Sequence, residues 1–403
     1  MERFIGIIGL AVMLLIAWAL STHKKVVAWR PLLGGIGLQF VLALIILKTS
    51  AGEAFFQGAQ DSISALISLS NEGAKFVFGK KFIDHPFAFK VLPTIIFVSS
   101  LSYVLFYYGI LQRVVKAMAW VMYRTMGISG SESLCTAANV FIGQTEAPLV
   151  VKPYLESMTR SEIMCMMTGG MATVAGGVLA AYVSYGISAG HLLAASLMSA
   201  PAAVLIAKLM VPETETSPTR GEVQLSLEVK EVNVFEAACK GAADGLMLAL
   251  NVGAMLIAFI ALVALVNLLL AQVVGLFGYQ TSLQTILSYI MSPFAFLMGI
   301  PWEDCLQIGQ LLGEKVVVNE FLAYENLGKM SVGEFGEISE RSKAIATYAL
   351  CGFANFSSIA IQIGGIGSLV PNRRSDFARL GLRSMIGGTL AAFMTACVAG
   401  ILL

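Results

Sequence analysis

Residues 139–150 read NVFIGQTEAPLV, which places Gln144, Thr145, Glu146 and Pro148 inside a stretch otherwise apolar enough for the middle of a bilayer. An ionised carboxylate at that depth costs about 2.5–3.5 kcal/mol or more, so such residues face a bundle interior or a wet cavity and mark a path for substrate or ion. Mostly helix-compatible residues flank Gly143, Gln144 and Thr145 on both sides. Arms of about ten residues reach about 15 Å each, half the thickness of the hydrocarbon. The stretch is therefore expected to be a helical hairpin that enters the membrane and turns back. Irregular backbone at that depth survives only where protein buries it or where it lines a cavity. A continuous helix carrying a structural Gln and Glu is the alternative.

The rest of the composition supports that setting. Of 403 residues, 57% are hydrophobic and 13% charged, and the mean hydropathy is +0.80. That is an integral membrane protein. The net charge is +1 and no basic tract carries interleaved aromatics, so a nucleic-acid partner has no footprint. The six cysteines are dispersed, form no CxxC, and read as small buried hydrophobes. The three histidines fall near expected membrane boundaries with no second ligand at useful spacing. An intramembrane hydrolase is disfavoured, because the chain has neither HExxH nor a persuasive serine–histidine arrangement.

In chain order, residues 4–20 form a first span rather than a cleaved signal, since Lys24, Lys25 and Arg30 follow the apolar run. These charges predict a cytoplasmic landing, with both the N- and C-termini outside. Residues 31–47 return outward. Residues 51–81 alternate Phe and Ile with polar residues and are expected to be an amphipathic helix on the outer interface. Residues 91–111 cross inward, and Arg113, Lys116 and Arg124 mark the landing.

The polar hairpin, 133–154, follows, and then a span, 164–185, interrupted by GGMATVAGG at 169–177, where the glycines favour either unwinding or close packing. After the span 191–210 comes the longest polar stretch, 212–234, a solvated linker dividing the chain into two halves. Residues 238–270 give one long outward helix, and 273–292 a second interfacial or partly buried segment. A second irregular hairpin is expected at 304–324, centred on GEKVVVNEFLAY, with Lys315 snorkelling or paired outside the site. Residues 347–366 cross through CGFANFSSIA, the arginines at 373, 374, 379 and 383 land in the cytoplasm, and 382–403 form the last span.

Both halves thus share one plan: a polar hairpin with a buried glutamate, a broken span and a plain span. The first hairpin is entered from the cytoplasm and the second from outside, so the repeats are inverted, as in secondary transporters that bind substrate near the midplane. The expected fold class is an all-α integral membrane protein with eight transmembrane helices, two re-entrant hairpins and interfacial helices. Gln144, Thr145, Glu146, Glu320, Asn355 and Ser358 offer acceptors and neutral donors suited to a neutral, many-hydroxylated ligand with a heterocycle. Phe353 and Phe356 are candidates to pack against a flat ring.

GQTEAPL preceded by Asn139, the NEF of 319–321 and FANFSS at 353–358 resemble, in order and over essentially the whole chain, the signature elements of the concentrative nucleoside transporters. The resemblance implies an inward nucleoside symporter of the bacterial cytoplasmic membrane, and not an enzyme. The base would lie against Gln144, Thr145 and Glu146 with Val178 and Phe353, and the ribose against Glu320, Asn355 and Ser358. Leu248 is the guess for a contact from the long helix. It also implies a sodium site made by the Asn139 and Thr173 side chains with the carbonyls of Ile142 and Val174, Thr173 standing where a serine is expected.

Coupling to protons instead, or a cargo of nucleobase or modified nucleoside, are the competing readings. Family members are homotrimers whose transport domain moves like an elevator. That implies N-terminal spans and interfacial helix at 1–90, a scaffold span at 91–132, a first transport repeat at 133–211 and a linker at 212–235. A second scaffold region would follow at 236–300, and a second transport repeat at 301–403.

Overall fold

The structure is a computed structural model that describes residues 2–79, 87–219, 231–276, 280–331 and 337–403. The described residues are helical and contain no strand. Helices α1 (Glu2–Ala19) and α2 (Trp29–Lys48) are followed by α3 (Ser50–Phe78), whose start is capped by the Thr49 side chain accepting from Gly52 N. The last residues of the expected outer interfacial segment, 80 and 81, lie outside the described residues. A π-helical turn, Phe87–Val91, leads into α4 (Leu92–Tyr107), and the chain turns at Gly109 into α5 (Ile110–Met126). The expected cytoplasmic landing is thus a complete helix of its own. Its buried residues Val115, Ala119, Met122 and Met126 recur at three- and four-residue spacing, while Arg113, Lys116 and Arg124 are spread between them.

The first hairpin consists of α6 (Gly130–Asn139), an irregular loop and a 3₁₀ arm, Ala147–Tyr154. The next span is broken into α7 (Arg160–Ala172) and α8 (Gly176–Ser184), and α9 (Ala189–Met210) follows unbroken. The centre of the expected linker, 220–230, lies outside the described residues. Helix α10 (Val234–Gly275) has 42 residues, roughly 63 Å at 1.5 Å per residue and about twice the hydrocarbon thickness. It packs on α4 through Gly241 and Gly245, where an added Cβ would lie 2.8 Å from Ser100 Cα and from Ser99 Cβ.

The segment expected at 273–292 is displaced: α10 continues to Gly275, and a separate helix, α11 (Leu283–Leu297), starts from a Ser282 cap and pairs with the next hairpin. That hairpin is α12 (Cys305–Val317) and α13 (Glu320–Ser331). A broken span of α14 (Glu340–Leu350) and α15 (Phe356–Leu369) and the long α16 (Arg374–Leu402) complete the chain. Among the described residues seven helical stretches are long and apolar enough to cross a bilayer, the bent α7–α8 among them. The expected eighth crossing is the α14–α15 pair, too short in each piece to qualify by length.

Burial separates the helices into two groups. The apolar windows of α7–α8 and α9 are 94% and 89% buried, whereas those of α1, α2 and α10 are 22%, 28% and 6%. A helix that is apolar and bare belongs against lipid, and one apolar and enclosed belongs inside a bundle. Helices α6, α13 and α14 join the enclosed group, whereas α15 buries one face, carrying Ser358, Gln362 and Ile366, and bares the other.

Candidate functional site

Each piece of the site is positioned by a local device. Helices α6 and α7 both begin with a capping box, Ser129 with Glu132 and Thr159 with Glu162, which satisfies the otherwise unpaired first amides reciprocally. Helix α6 stops at Asn139, and Pro148 and Pro153 lack the N–H a regular α-helix would use, so the return arm winds as 3₁₀. The loop between closes on itself: Gly143 N donates to Glu146 Oε2 at 2.5 Å, and Glu146 N donates to Gly143 O at 3.1 Å. At the second tip, Asn319 Oδ1 accepts from Leu322 N at 3.0 Å, starting α13 directly at Glu320.

The two breaks lie against each other. Gly352, at φ +103°, occupies the left-handed region, and a Cβ there would fall 2.5 Å from Met171 O, so the turn between α14 and α15 rests on the last turn of α7. After this turn Asn355 caps α15: its Oδ1 accepts from Ser358 N at 2.9 Å and from Ser357 Oγ at 2.6 Å. That use of the carbonyl leaves the Asn355 amide nitrogen to donate to Glu320 Oε2 at 2.9 Å, while Tyr182 OH of α8 donates to Glu320 Oε1 at 3.0 Å.

Gln144 Nε2 donates to Ser358 Oγ at 3.1 Å, and Gln362 Nε2 donates to Gln144 Oε1 and to Met167 O, both at 3.0 Å. One hydrogen-bonded chain therefore runs from the first hairpin tip to the second through both broken spans. All its side chains except Ser357 are buried.

Four of the expected substrate residues, Gln144, Glu320, Asn355 and Ser358, are members of this chain. Thr145 lies beside them, its methyl against α15 at Gly365. Glu146 instead bends back onto its own loop. Val178 is buried on α8, Phe353 is half-buried at the second break, and Leu248 is half-buried on α10 against the core. Phe356 is 50% exposed on the outer side of α15, away from an enclosed ring site.

Sequence reasoning missed Tyr182 and Gln362, and of its two readings for Lys315, snorkelling or paired, the structure has the paired one. Lys315 is fully buried rather than snorkelling, and its ammonium donates to Ala349 O at 2.9 Å and Cys351 O at 3.0 Å. A cation there sits at the negative end of the α14 dipole and satisfies carbonyls freed by the break.

Of the expected sodium ligands, Asn139 and Thr173 come together where the first loop meets the α7–α8 break. Gly176 N donates to Phe141 O at 3.2 Å, docking loop to break. Thr173 Oγ1 lies 2.9 Å from both Asn139 O and Gly169 O, so its hydrogen is spent on carbonyls and its lone pairs remain for a cation. Asn139 Oδ1 is buried with no hydrogen-bond partner among the described residues. An unpaired buried amide oxygen, a hydroxyl lone pair and nearby backbone carbonyls make a neutral oxygen set that suits a small hard monovalent cation.

Two helical hairpins joined at paired helix breaks, enclosed by helices that bare apolar surface, define a membrane carrier with an internal polar site. The chain belongs to the Na⁺-dependent nucleoside transporter family. Residues 8–81 match its N-terminal region and 191–400 its C-terminal region, and 88–189 match a region described as nucleoside recognition. Its members are transporters, not enzymes, and sodium is the coupling ion the family is named for.

Among relatives, solute carrier family 28 member 3 of Mus musculus is 44% identical over all of this chain and 59% of its own length. The sodium/nucleoside cotransporter 1 of Rattus norvegicus is 45% identical over all of this chain and 64% of its own. The chain thus spans about 60% of the length of those mammalian relatives. The uncharacterized transporter YutK of Bacillus subtilis (strain 168) is 45% identical over 98% of both chains. Among solved structures, CNTnw in an inward-facing substrate-bound state matches with a TM-score of 0.93 at 41% identity, over 100% of this chain and 98% of that one. A variant of CNTnw in an outward-facing state matches at 0.94, with the same identity and coverage.

Proposed function

We propose that this protein is a sodium-coupled nucleoside symporter that imports its substrate across the bacterial cytoplasmic membrane. The observation that carries the reading is Glu320, clasped by Tyr182 and Asn355 and joined through Ser358 to Gln144. A carboxylate offers about four lone-pair positions. Tyr182 and Asn355 each take one, on opposite oxygens, and positions not taken within the protein receive the hydroxyls of a ribose. The base then lies toward Gln144, Thr145 and Glu146, with Val178 and Phe353 as its apolar walls.

Sodium binds at Asn139, Thr173 and the carbonyls of Ile142 and Val174, and in doing so fixes the first loop against the α7–α8 break. Asn139 Oδ1 and Gln144 Cβ both face Gly170, where an added Cβ would lie 3.4 Å from the first and 2.9 Å from the second. Ordering one side of that contact presents the other, which is the linkage a symporter needs. Each ion that moves inward across the field contributes about 2.3 kcal/mol per 100 mV.

In this reading the hairpins are re-entrant and inverted, and both termini face outward. The enclosed helices of 133–211 and 301–403 form a transport domain. That domain travels as an elevator along a scaffold built from the outer interfacial helix and the spans in 91–132 and 236–300 of a homotrimer. The contrast between enclosed and lipid-bare helices supports that division.

The test is nucleoside uptake into proteoliposomes with sodium and proton gradients imposed separately. A sodium gradient alone is expected to drive uridine above its equilibrium level, and free uracil is not expected to compete. Uptake driven only by protons would replace the ion, and competition by uracil equal to that by uridine would replace the cargo.

A further inference from the structure

We propose that Gln362 is a positioning residue: it fixes which way round Gln144 presents its amide, and so makes the base end of the pocket a hydrogen-bond donor. The inference rests on the nucleoside reading above and adds a polarity to it.

Gln362 is fully buried in α15 among Ile361, Ile363 and two glycines, an expensive place for an amide. Its own Oε1 has no partner among the described residues. It is therefore not there to satisfy itself. What it does make is two donations from one nitrogen, to Met167 O and to Gln144 Oε1.

A backbone carbonyl can only accept, so Met167 holds the Gln362 amide with its nitrogen inward. That nitrogen occupies the Gln144 carbonyl, which leaves the Gln144 NH₂ to face Ser358 and the pocket. The other end of the chain agrees independently. Ser358 N can only donate, so Asn355 shows it the carbonyl and turns its own NH₂ to Glu320. Because groups with a single role fix both ends, the sense of each amide follows from the bonding. Ser358 Oγ accepts from Gln144, so its hydrogen also points away from the chain.

The pocket is thus polarised, with N–H and O–H donors at the Gln144 end and a carboxylate acceptor at the Glu320 end. A nucleoside matches it with ribose hydroxyls as donors and a base carbonyl as acceptor. Since Gln144 stands at the end of the chain remote from Glu320, the carbonyl it meets is the one remote from the sugar, at C4 of a pyrimidine.

Two measurements test this on the purified full chain in saturating sodium, by isothermal titration. In the wild type, replacing the C4 carbonyl of uridine by hydrogen is expected to weaken binding about 10-fold, the scale of one lost hydrogen bond in a closed pocket. The second compares uridine with cytidine, which carries an amine at the same atom, in Gln362→Glu. The buried carboxyl group is neutral, and the oxygen standing in place of Nε2 donates its one hydrogen to Met167 O and shows Gln144 only lone pairs, so the Gln144 amide reverses. The uridine-to-cytidine affinity ratio is expected to move toward cytidine by about 10-fold or more, with the penalty for 2′-deoxyuridine unchanged.

Equal wild-type affinity for uridine and its 4-deoxy analogue, or a ratio in folded Gln362→Glu equal to that of the wild type, would overturn the inference. If Gln362→Glu does not fold, the wild-type comparison decides alone. Failure of the wild type to bind any nucleoside would instead remove the functional reading beneath it.

Discussion

The two hairpin tips are built from similar material and finished differently. Glu320 is 5% exposed and already held by Tyr182 of one broken span and Asn355 of the other. Glu146 is half-buried, and its carboxylate accepts, among the described residues, from Gly143 N in its own loop. The Glu320 carboxylate is thus preorganised by its neighbours, while the Glu146 carboxylate is held by its own loop, beside the proposed sodium ligands. A site that binds one substrate through a rigid end and an adjustable end can let the ion act on the adjustable one. The proposed coupling rests on that difference.

The largest effect should come from the rigid end. In Glu320→Gln an NH₂ replaces one carboxylate oxygen and faces either Tyr182 or Asn355, both of which are donating, and nucleoside affinity is expected to fall about 100-fold or more. Glu146→Gln keeps an oxygen for Gly143 N, and a loss of about 10-fold or less is expected. Equal losses in the two variants, measured by titration with uridine, would erase the distinction between the tips.

An intermediate effect sharpens the link between them. Gly170→Ala would bring a methyl to 2.9 Å from both Gln144 Cβ and Gln362 Nε2, and to 3.4 Å from Asn139 Oδ1. Sodium dependence and nucleoside affinity are expected to weaken together in uptake assays, each by about 10-fold. A change in only one would place the ion and the base on separate devices.

The smallest effect on binding belongs to Lys315. Lys315→Met strips the carbonyls of Ala349 and Cys351 of their donor, with an expected cost of about 1–3 kcal/mol to stability. Thermal unfolding should show it, while uridine affinity changes less than about twofold. A large affinity loss would move Lys315 from support into the site.

Much of this was legible in the sequence because hydrocarbon is an unforgiving background. Gln144 and Glu146 amid apolar residues, the glycines around Thr173, and Asn355 with Ser358 all interrupt helices where no water is at hand, so each irregularity announced a site. The two capping boxes also follow from their spacing.

What stayed hidden has physical causes. Tyr182 sits in VLAAYVSY, where an aromatic residue suits core or lipid contact equally well. Gln362 is a single polar residue in an apolar helix, though its place four residues after Ser358 puts both on one face and was the available signal. For Lys315 the sequence leaves snorkelling and pairing open, because long cations do either, and only the second break shows the carbonyls that hold it inside. The end of α10 was blurred because residues 273–277 are as apolar as the helix before them and only the short GYQTS at 278–282 separates it from α11.

The most direct test of the account is an equilibrium titration of the purified protein with uridine, once in sodium and once with sodium replaced by choline at constant pH. Binding is predicted in both, at least 5-fold tighter in sodium, the lower end of ordinary coupling between linked sites. Identical affinities in the two buffers would contradict a shared hinge between the Asn139–Thr173 cluster and Gln144.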